Sequence, residues 1–373
     1  MVTVKPDLLD EMKKLGAFDV SACYSCGTCT AVCPLSTNGH EFPRKMIRYA
    51  MIGDENKLLA STEPWLCYYC GECTRTCPRG ADPAGFMMAA RRYLTTRYDV
   101  TGFSRRFYRS KSLEILSGVL LFFLTVFLVY MFHGPVVTSY VDLVSFAPLR
   151  IVDLGDIAVM ILLGGLLLTN LYRMFRFTVA SSPNGKIRIS SYLKELIKTV
   201  PVHFLTQRRT LSCEKGDRDW IMHVLTVYGY ASFFVLGVFL LDLWQTNVMY
   251  PIYNPVRLIS YIATVMLGLG VGYAIYGRIK KSSTMREKSH STDWYFLTLL
   301  FLVVVTGVAV TVFKYTNQPI ATYVSYTIHL GFIVPLLVLE VPFAKWSHLA
   351  YRPFAVYFAR LQDLLKGAEK PSP

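Results

Sequence analysis

Two cysteine runs carry the first chemistry in this sequence: Cys23-Tyr-Ser-Cys26-Gly-Thr-Cys29-Thr-Ala-Val-Cys33-Pro34 and Cys67-Tyr-Tyr-Cys70-Gly-Glu-Cys73-Thr-Arg-Thr-Cys77-Pro78. Eight of the twelve positions are identical, which makes the runs an internal repeat. Three thiolates on one tight turn can wrap three irons of a cubane, while the fourth cysteine faces away. The C-x2-C-x2-C-x3-C-P spacing therefore predicts two [4Fe–4S] clusters with crossed ligation. Cluster one is expected on Cys23, Cys26, Cys29 and Cys77, and cluster two on Cys67, Cys70, Cys73 and Cys33. Disulfides are disfavoured in a cytoplasmic domain, and structural zinc uses separated pairs rather than triplets. Crossed ligation ties the two runs together, so folding should depend on the clusters. The ninth cysteine, Cys213, has no second thiol nearby and reads as a buried structural residue.

Histidine is the second candidate. Haem b in membrane helices is held by neutral imidazoles from different helices, so a ligand must be a His at suitable depth on an apolar run. Of seven histidines, His40 lies between the cysteine runs, His290 in a basic loop and His203 on an amphipathic stretch. That leaves His223 and His348 as a pair for an inner haem b, with His329 and His133 for an outer one. His329 lies ~13 Å from the outer end of its run at 1.5 Å per residue. On one continuous helix, His329 and His348 would sit ~100° apart, an offset that kinks at Pro335 and Pro342 could correct.

The elements that must position these groups divide the chain in two. Of 373 residues, 53% are hydrophobic and only 17% charged, and all long apolar runs follow residue 112. Six runs are long enough to span a ~30 Å hydrocarbon core: 113–132, 151–172, 220–243, 255–277, 294–313 and 320–343. Residues 79–111, 173–218, 278–293 and 343–373 hold 28 Lys and Arg, against 3 at the other connections (Arg150, Arg257, Lys314). By the positive-inside rule both termini face the cytoplasm. The net charge of +14 is thus topological rather than a nucleic-acid site. Residues 1–19 are polar and helix-like, not a signal peptide, which keeps the cysteine domain cytoplasmic. The connection 187–204 has helical amphipathic spacing and is expected on the inner membrane surface. Gly268, Gly270 and Gly272 suggest a close helix contact. Between the cysteine runs, 42–52 and 55–60 read as helices. The expectation is an all-α chain: a helical two-[4Fe–4S] ferredoxin domain over 1–104, then a six-helix transmembrane haem-b bundle over 105–373.

With these residues in view, the first 100 positions resemble the small iron–sulfur subunit (C) of heterodisulfide reductases. The membrane half is similar to the cytochrome b family that includes the nitrate reductase gamma subunit. The residues that carry this second likeness are Trp220-Ile-Met-His223 with Gly229-Tyr230, Asp293-Trp294-Tyr-Phe296 with Thr306-Gly307, His329, and Pro342-Phe-Ala-Lys345-Trp-Ser-His348. A fusion of the two resembles the membrane subunits of quinone-interacting membrane-bound oxidoreductase (Qmo) complexes. The gamma-type family places two His on each of two helices; here the second His of the earlier helix would fall near Phe233, so the partner of His329 stays open. The resemblance implies electron exchange between menaquinone or another quinone and cytoplasmic flavin- and iron–sulfur-containing, heterodisulfide-reductase-like subunits, with adenylylsulfate reductase as the final partner in sulfur metabolism.

A quinol gives up two electrons and two protons, whereas clusters and haems pass single electrons, so a proton-handling site is needed. No motif assigns it. Ionisable groups in or beside the spans are candidates, namely Glu340, Asp242, Asp153 and Asp156, each of which also suits a helix-terminal or packing role. Two alternatives remain: a membrane anchor with a docking ferredoxin and no quinone chemistry, or a quinone-linked subunit of another heterodisulfide reductase, hydrogenase or formate-linked complex. No glycine fingerprint for a nucleotide follows a strand, and there is no flavin site, so the chain reads as an electron-transfer subunit rather than a complete enzyme.

Overall fold

The computed structural model describes residues 4–36, 41–181, 187–207, 211 and 216–367; His40 and Cys213 lie outside them. Every regular element among these residues is helical.

In the first part of the chain, Leu8–Lys14 buries Leu8 and Met12, and Arg44–Met51 buries Met46, Ile47 and Ala50, the spacing of one helix face. Asp54 caps Glu55–Leu59 by accepting the Lys57 N–H at 3.1 Å, and Asp82 caps Pro83–Tyr98 by accepting the Gly85 N–H at 3.1 Å. The sequence repeat is also a backbone repeat. Ser25 and Tyr69 have φ +64° and +63°, and Gly27 and Gly71 have φ +94° and +87°. Each left-handed glycine opens a four-residue helix, Thr28–Ala31 and Glu72–Arg75, that carries the third cysteine of its run.

Six helices are long and apolar enough to cross a membrane: Lys111–Phe132, Leu149–Thr178, Asp217–Phe239, Pro255–Ile279, Ser291–Tyr315 and Pro319–Phe343, here spans 1 to 6. They leave Leu120, Phe123, Leu154, Ile161 and Leu168 at 61–71% exposure, a surface that only lipid solvates well. The third span ends at Phe239, short of the expected 243, and a four-residue helix, Leu241–Trp244, follows. Spans 3 and 4 touch through Gly229 and Gly270: a Cβ there would lie 2.9 Å from the Ala263 carbonyl and 2.0 Å from Thr226 Oγ1. Gly272 faces open space, so the close contact uses only one of the three expected glycines.

Span 6 departs furthest from an ideal helix. Pro335 cannot donate to the helix ladder, and Leu336–Glu340 widens into a π turn. The chain breaks at Ala344, turns over Lys345–Ser347, and starts a new helix, His348–Gly367. His329 and His348 therefore lie on different helices, and the angular offset expected from one continuous helix does not apply.

That last helix packs back on the first part of the chain. Tyr351, Ala355, Phe358 and Leu361 share one core with Trp65, Tyr93, Tyr98 and the span 2 residues Leu171 and Met174. Tyr351 lies with its ring 5.0 Å from Trp65 and 5.4 Å from Tyr98. Gln362 Nε2 donates to the carbonyls of Ala60 and Thr178, both at 3.0 Å. Helix Ile189–Thr206 also rests on it, through Tyr357 Oη to the Tyr192 carbonyl at 3.2 Å, and turns Ile189, Leu193 and Ile197 outward, the apolar face of an interfacial helix.

Candidate redox centres

Cys33, Cys67, Cys70 and Cys73 line a single pocket with Leu35, Phe42 and Met87. Cys29 is the electrostatic neighbour of Cys23, Cys26 and Cys77, and Cys33 that of Cys67 and Cys70. Cys73 neighbours Cys67, Cys70 and Cys33, and Cys29 as well, so the two sets of cysteines lie close together. Cys23 Sγ accepts the Ser25 N–H, and Cys67 Sγ accepts the Tyr69 N–H, both at 3.4 Å, so the paired left-handed residues aim backbone donors at sulfur. Burial pushes the Cys67, Cys73, Cys29 and Cys33 thiols upward, so loading iron there must displace protons. Cys26 is exposed, and its hydrogen bond with Thr28 holds its thiol below the usual value. Among the described residues no three His, Cys, Asp or Glu side chains converge as ligands of a single ion would.

The two centres differ in surroundings. Near the cysteines expected on cluster one, Tyr24 is 59% exposed, and the Arg79 guanidinium lies over its ring. Beside cluster two, Arg91 and Arg352 both donate to the Cys67 carbonyl, Arg352 at 3.4 Å. Two guanidiniums packed on one ligand residue suit the net negative charge of a thiolate-bound cluster.

His223 on span 3 and His348 meet with ring centroids 6.0 Å apart and planes at 66°. Two imidazoles that share one metal ion through bonds of about 2 Å can have centroids roughly 6 Å apart, so His223 and His348 are spaced as two ligands of one iron would be. His348 Nδ1 is held by the Lys345 carbonyl, which orients the ring so that Nε2 is the nitrogen that could take a metal. His223 Nδ1 is buried with no partner. Desolvation, with Lys345 next, keeps the His348 imidazole well below its ordinary pKa, hence neutral as a ligand must be. The pocket here is lined by both histidines with Trp65, His203, Gln207 and Arg352. Trp65 stands two residues before Cys67 in the sequence. His203 and Arg352, neither singled out as site residues by the sequence, complete this wall.

The other two histidines are not brought together. His329 Nδ1 pairs with Thr306 Oγ1 at 2.9 Å, and a Cβ at Gly307 would lie 3.1 Å from its ring. His133 pairs Nδ1 with the Gly134 carbonyl at 2.7 Å and stacks on Phe146 at 5.3 Å. These contacts form no bis-histidine site. Phe233 packs on Trp244 at 5.4 Å.

With that geometry in place, comparison with known proteins defines the class. Residues 19–81 match the 4Fe-4S dicluster domain family. The chain therefore carries a dicluster domain, with two [4Fe–4S] clusters on its eight cysteines, ahead of six membrane-length helices: a multi-pass iron–sulfur membrane protein. It is also similar to the E subunit of the dihydromethanophenazine:CoB–CoM heterodisulfide reductase of Methanosarcina thermophila, at 23% identity over 207 residues, covering 52% of this chain and 75% of that protein. This is a distant homology. No solved structure matches the chain.

Proposed function

We propose that the chain is the membrane subunit of a respiratory oxidoreductase, passing electrons between a membrane quinone and cytoplasmic heterodisulfide-reductase-like flavin and iron–sulfur subunits. The observation that carries this reading is the shared wall between the two redox centres. Trp65 and Arg352 line the pocket of His223 and His348, and Arg352 Nη2 reaches the Cys67 carbonyl at 3.4 Å. A simple anchor has no use for paired buried imidazoles next to a cluster ligand.

His223 and His348 would hold a haem b, which supplies reversible single-electron exchange. Lys345 orients His348, and the Trp65 and Arg352 side chains fill the space toward Cys67. This makes cluster two the centre nearer the membrane. Cluster one, with exposed Cys26 and Tyr24, then faces the soluble partner. In this reading the cysteine domain and both termini are cytoplasmic, in accord with the 28 basic residues on that side. Similarity to a heterodisulfide reductase subunit supports such partners. Adenylylsulfate reductase as final acceptor follows from the resemblance to Qmo membrane subunits.

The test is rapid mixing of the oxidised full-length protein in lipid with a short-chain menaquinol. The reading predicts that a b-type haem reduces and the iron–sulfur absorbance then bleaches. Menaquinol that leaves both spectra unchanged, while dithionite reduces them, would favour the anchor.

A further inference from the structure

Glu114 and Glu340, with the hydroxyl of the half-buried Tyr295, are buried at the end of the bundle that meets the dicluster domain, and the proposed quinone reaction assigns them no task. Glu340, on the π turn of span 6, is 0% exposed, and Glu114, near the start of span 1, is 1% exposed. Both oxygens of Glu114, Oε1 of Glu340 and the Tyr295 hydroxyl on span 5 are buried without a hydrogen-bond partner. Each such orphan costs about 1–3 kcal/mol, and more if charged. Three helices converge to place them together. The site is also shaped for the phenol: a Cβ at Gly118, one turn after Glu114, would lie 1.7 Å from Tyr295 Oη. Phe107, Leu339 and Phe343 form an apolar cluster beside it, with Tyr295 packed on them.

The charges that face the pair come from every neighbouring element. Glu114 and Tyr295 are electrostatic neighbours of Glu340, and Tyr108, on the helix Phe103–Arg109, faces both carboxyls. Asp293, at the start of span 5, and Lys345, after span 6, act on Glu340 as well. The Lys345 N–H donates to Glu340 Oε2 at 2.9 Å. Lys345 Nζ pairs with Asp293 at 2.5 Å, and Arg92 Nη2 lies 3.7 Å from Asp293. Those two cations are balanced by Asp293 in part, and neither Nζ nor guanidinium pairs with the Glu114–Glu340 couple. Two carboxyls in such a site cannot both ionise; sharing one proton is the stable state.

We propose that Glu114 and Glu340 share one proton and, with Tyr295, form the site that accepts the hydroxyl proton of a hydroquinone. The inference rests on the quinone reading above. Oxidation of a hydroquinone breaks two O–H bonds and releases two protons and two electrons. The ionised carboxylate oxygen forms a new O–H bond with the first proton; the couple must give up a proton to solvent before it can take the second. The electrons leave singly to the chain's iron–sulfur clusters. In the opposite direction the same couple returns protons to a quinone.

The test uses the full-length holoprotein in lipid and its E114Q, E340Q and Y295F variants. Infrared spectra should show the carbonyl stretch of a protonated carboxyl at neutral pH, shifted in D2O, lost in E340Q and E114Q, and displaced in Y295F. Menaquinol-driven reduction should slow about a hundredfold or more in either Gln variant, with cluster content unchanged. A wild type without the protonated carboxyl band overturns the proposal. So does a band that both Gln variants retain, or menaquinol reduction at the wild-type rate in both. If menaquinol fails to reduce even the wild type, the quinone reading falls, and the infrared spectra still decide whether the carboxyls share a proton.

Discussion

His223 and His348 matter most among single residues because their rings stand 6.0 Å apart, the spacing that two imidazole ligands of the proposed haem iron would need. Arg352 supplies a second test. It donates to the Cys67 carbonyl and adds positive charge beside cluster two, so Arg352→Ala should make one cluster harder to reduce. A redox titration followed by electron paramagnetic resonance should show one lowered potential and one unchanged. Gly118 offers a steric test. Gly118→Ala drives a methyl into Tyr295 Oη and should cost about 1–3 kcal/mol, read as a lower thermal midpoint. The loss should shrink in the Tyr295→Phe background, where the colliding oxygen is gone. Among the site residues, the cysteines were legible because all eight sit in two local, repeated runs. Glu340 was visible as an acid in an apolar span. Glu114 was missed, although an acid at the start of an otherwise apolar run carried the same signal.

Helix ends decide how the elements meet. Helix Leu8–Lys14 is tied to Phe103–Arg109, the last helix before span 1, through Glu11, which meets Lys5 at 2.7 Å, Arg105 at 3.2 Å and Arg109 at 3.1 Å. Partial burial acts to raise the Glu11 pKa, but Lys5 and the two arginines outweigh it, and the carboxyl lies below its usual value. The contact is therefore complete above the ordinary glutamate range and is lost as pH falls through the lowered value. Hydrogen-exchange protection over residues 8–14 and 103–109, corrected for the intrinsic rate, should fall once pH drops below the ordinary glutamate range, and in Glu11→Gln already at neutral pH. Span positions were readable from apolar length alone. The break that ends span 6 was not: the two prolines indicated a kink, but the π turn and the fresh start at His348 depend on packing that includes the Asn170 Nδ2 bond to the Pro342 carbonyl at 3.1 Å.

For the whole molecule, the important fact is that the chain's last helix completes the core of its first domain. A boundary drawn between residues 104 and 105 follows the change in composition, yet Tyr351 is fully buried among Trp65 and Tyr98. Tyr351, Ala355, Phe358 and Leu361 stand at helical spacing, a signal the sequence reading did not use, and their distant partner depended on tertiary packing. Tyr351→Ala should therefore cost about 3–5 kcal/mol and weaken both the clusters and the proposed haem site three residues away, whereas Tyr351→Phe should spare them. Iron and haem content after purification would separate the two outcomes.

The proposal of a haem-bearing membrane subunit is tested most directly by a reduced-minus-oxidised visible spectrum, with haem and iron quantified per chain, on the wild type and on His223→Ala, His348→Ala and His329→Ala. A b-type spectrum should be present in the wild type and lost in the first two variants while about eight cluster irons per chain remain. A wild type with full iron and no haem, or a haem that survives both His223→Ala and His348→Ala, would contradict the bis-histidine centre.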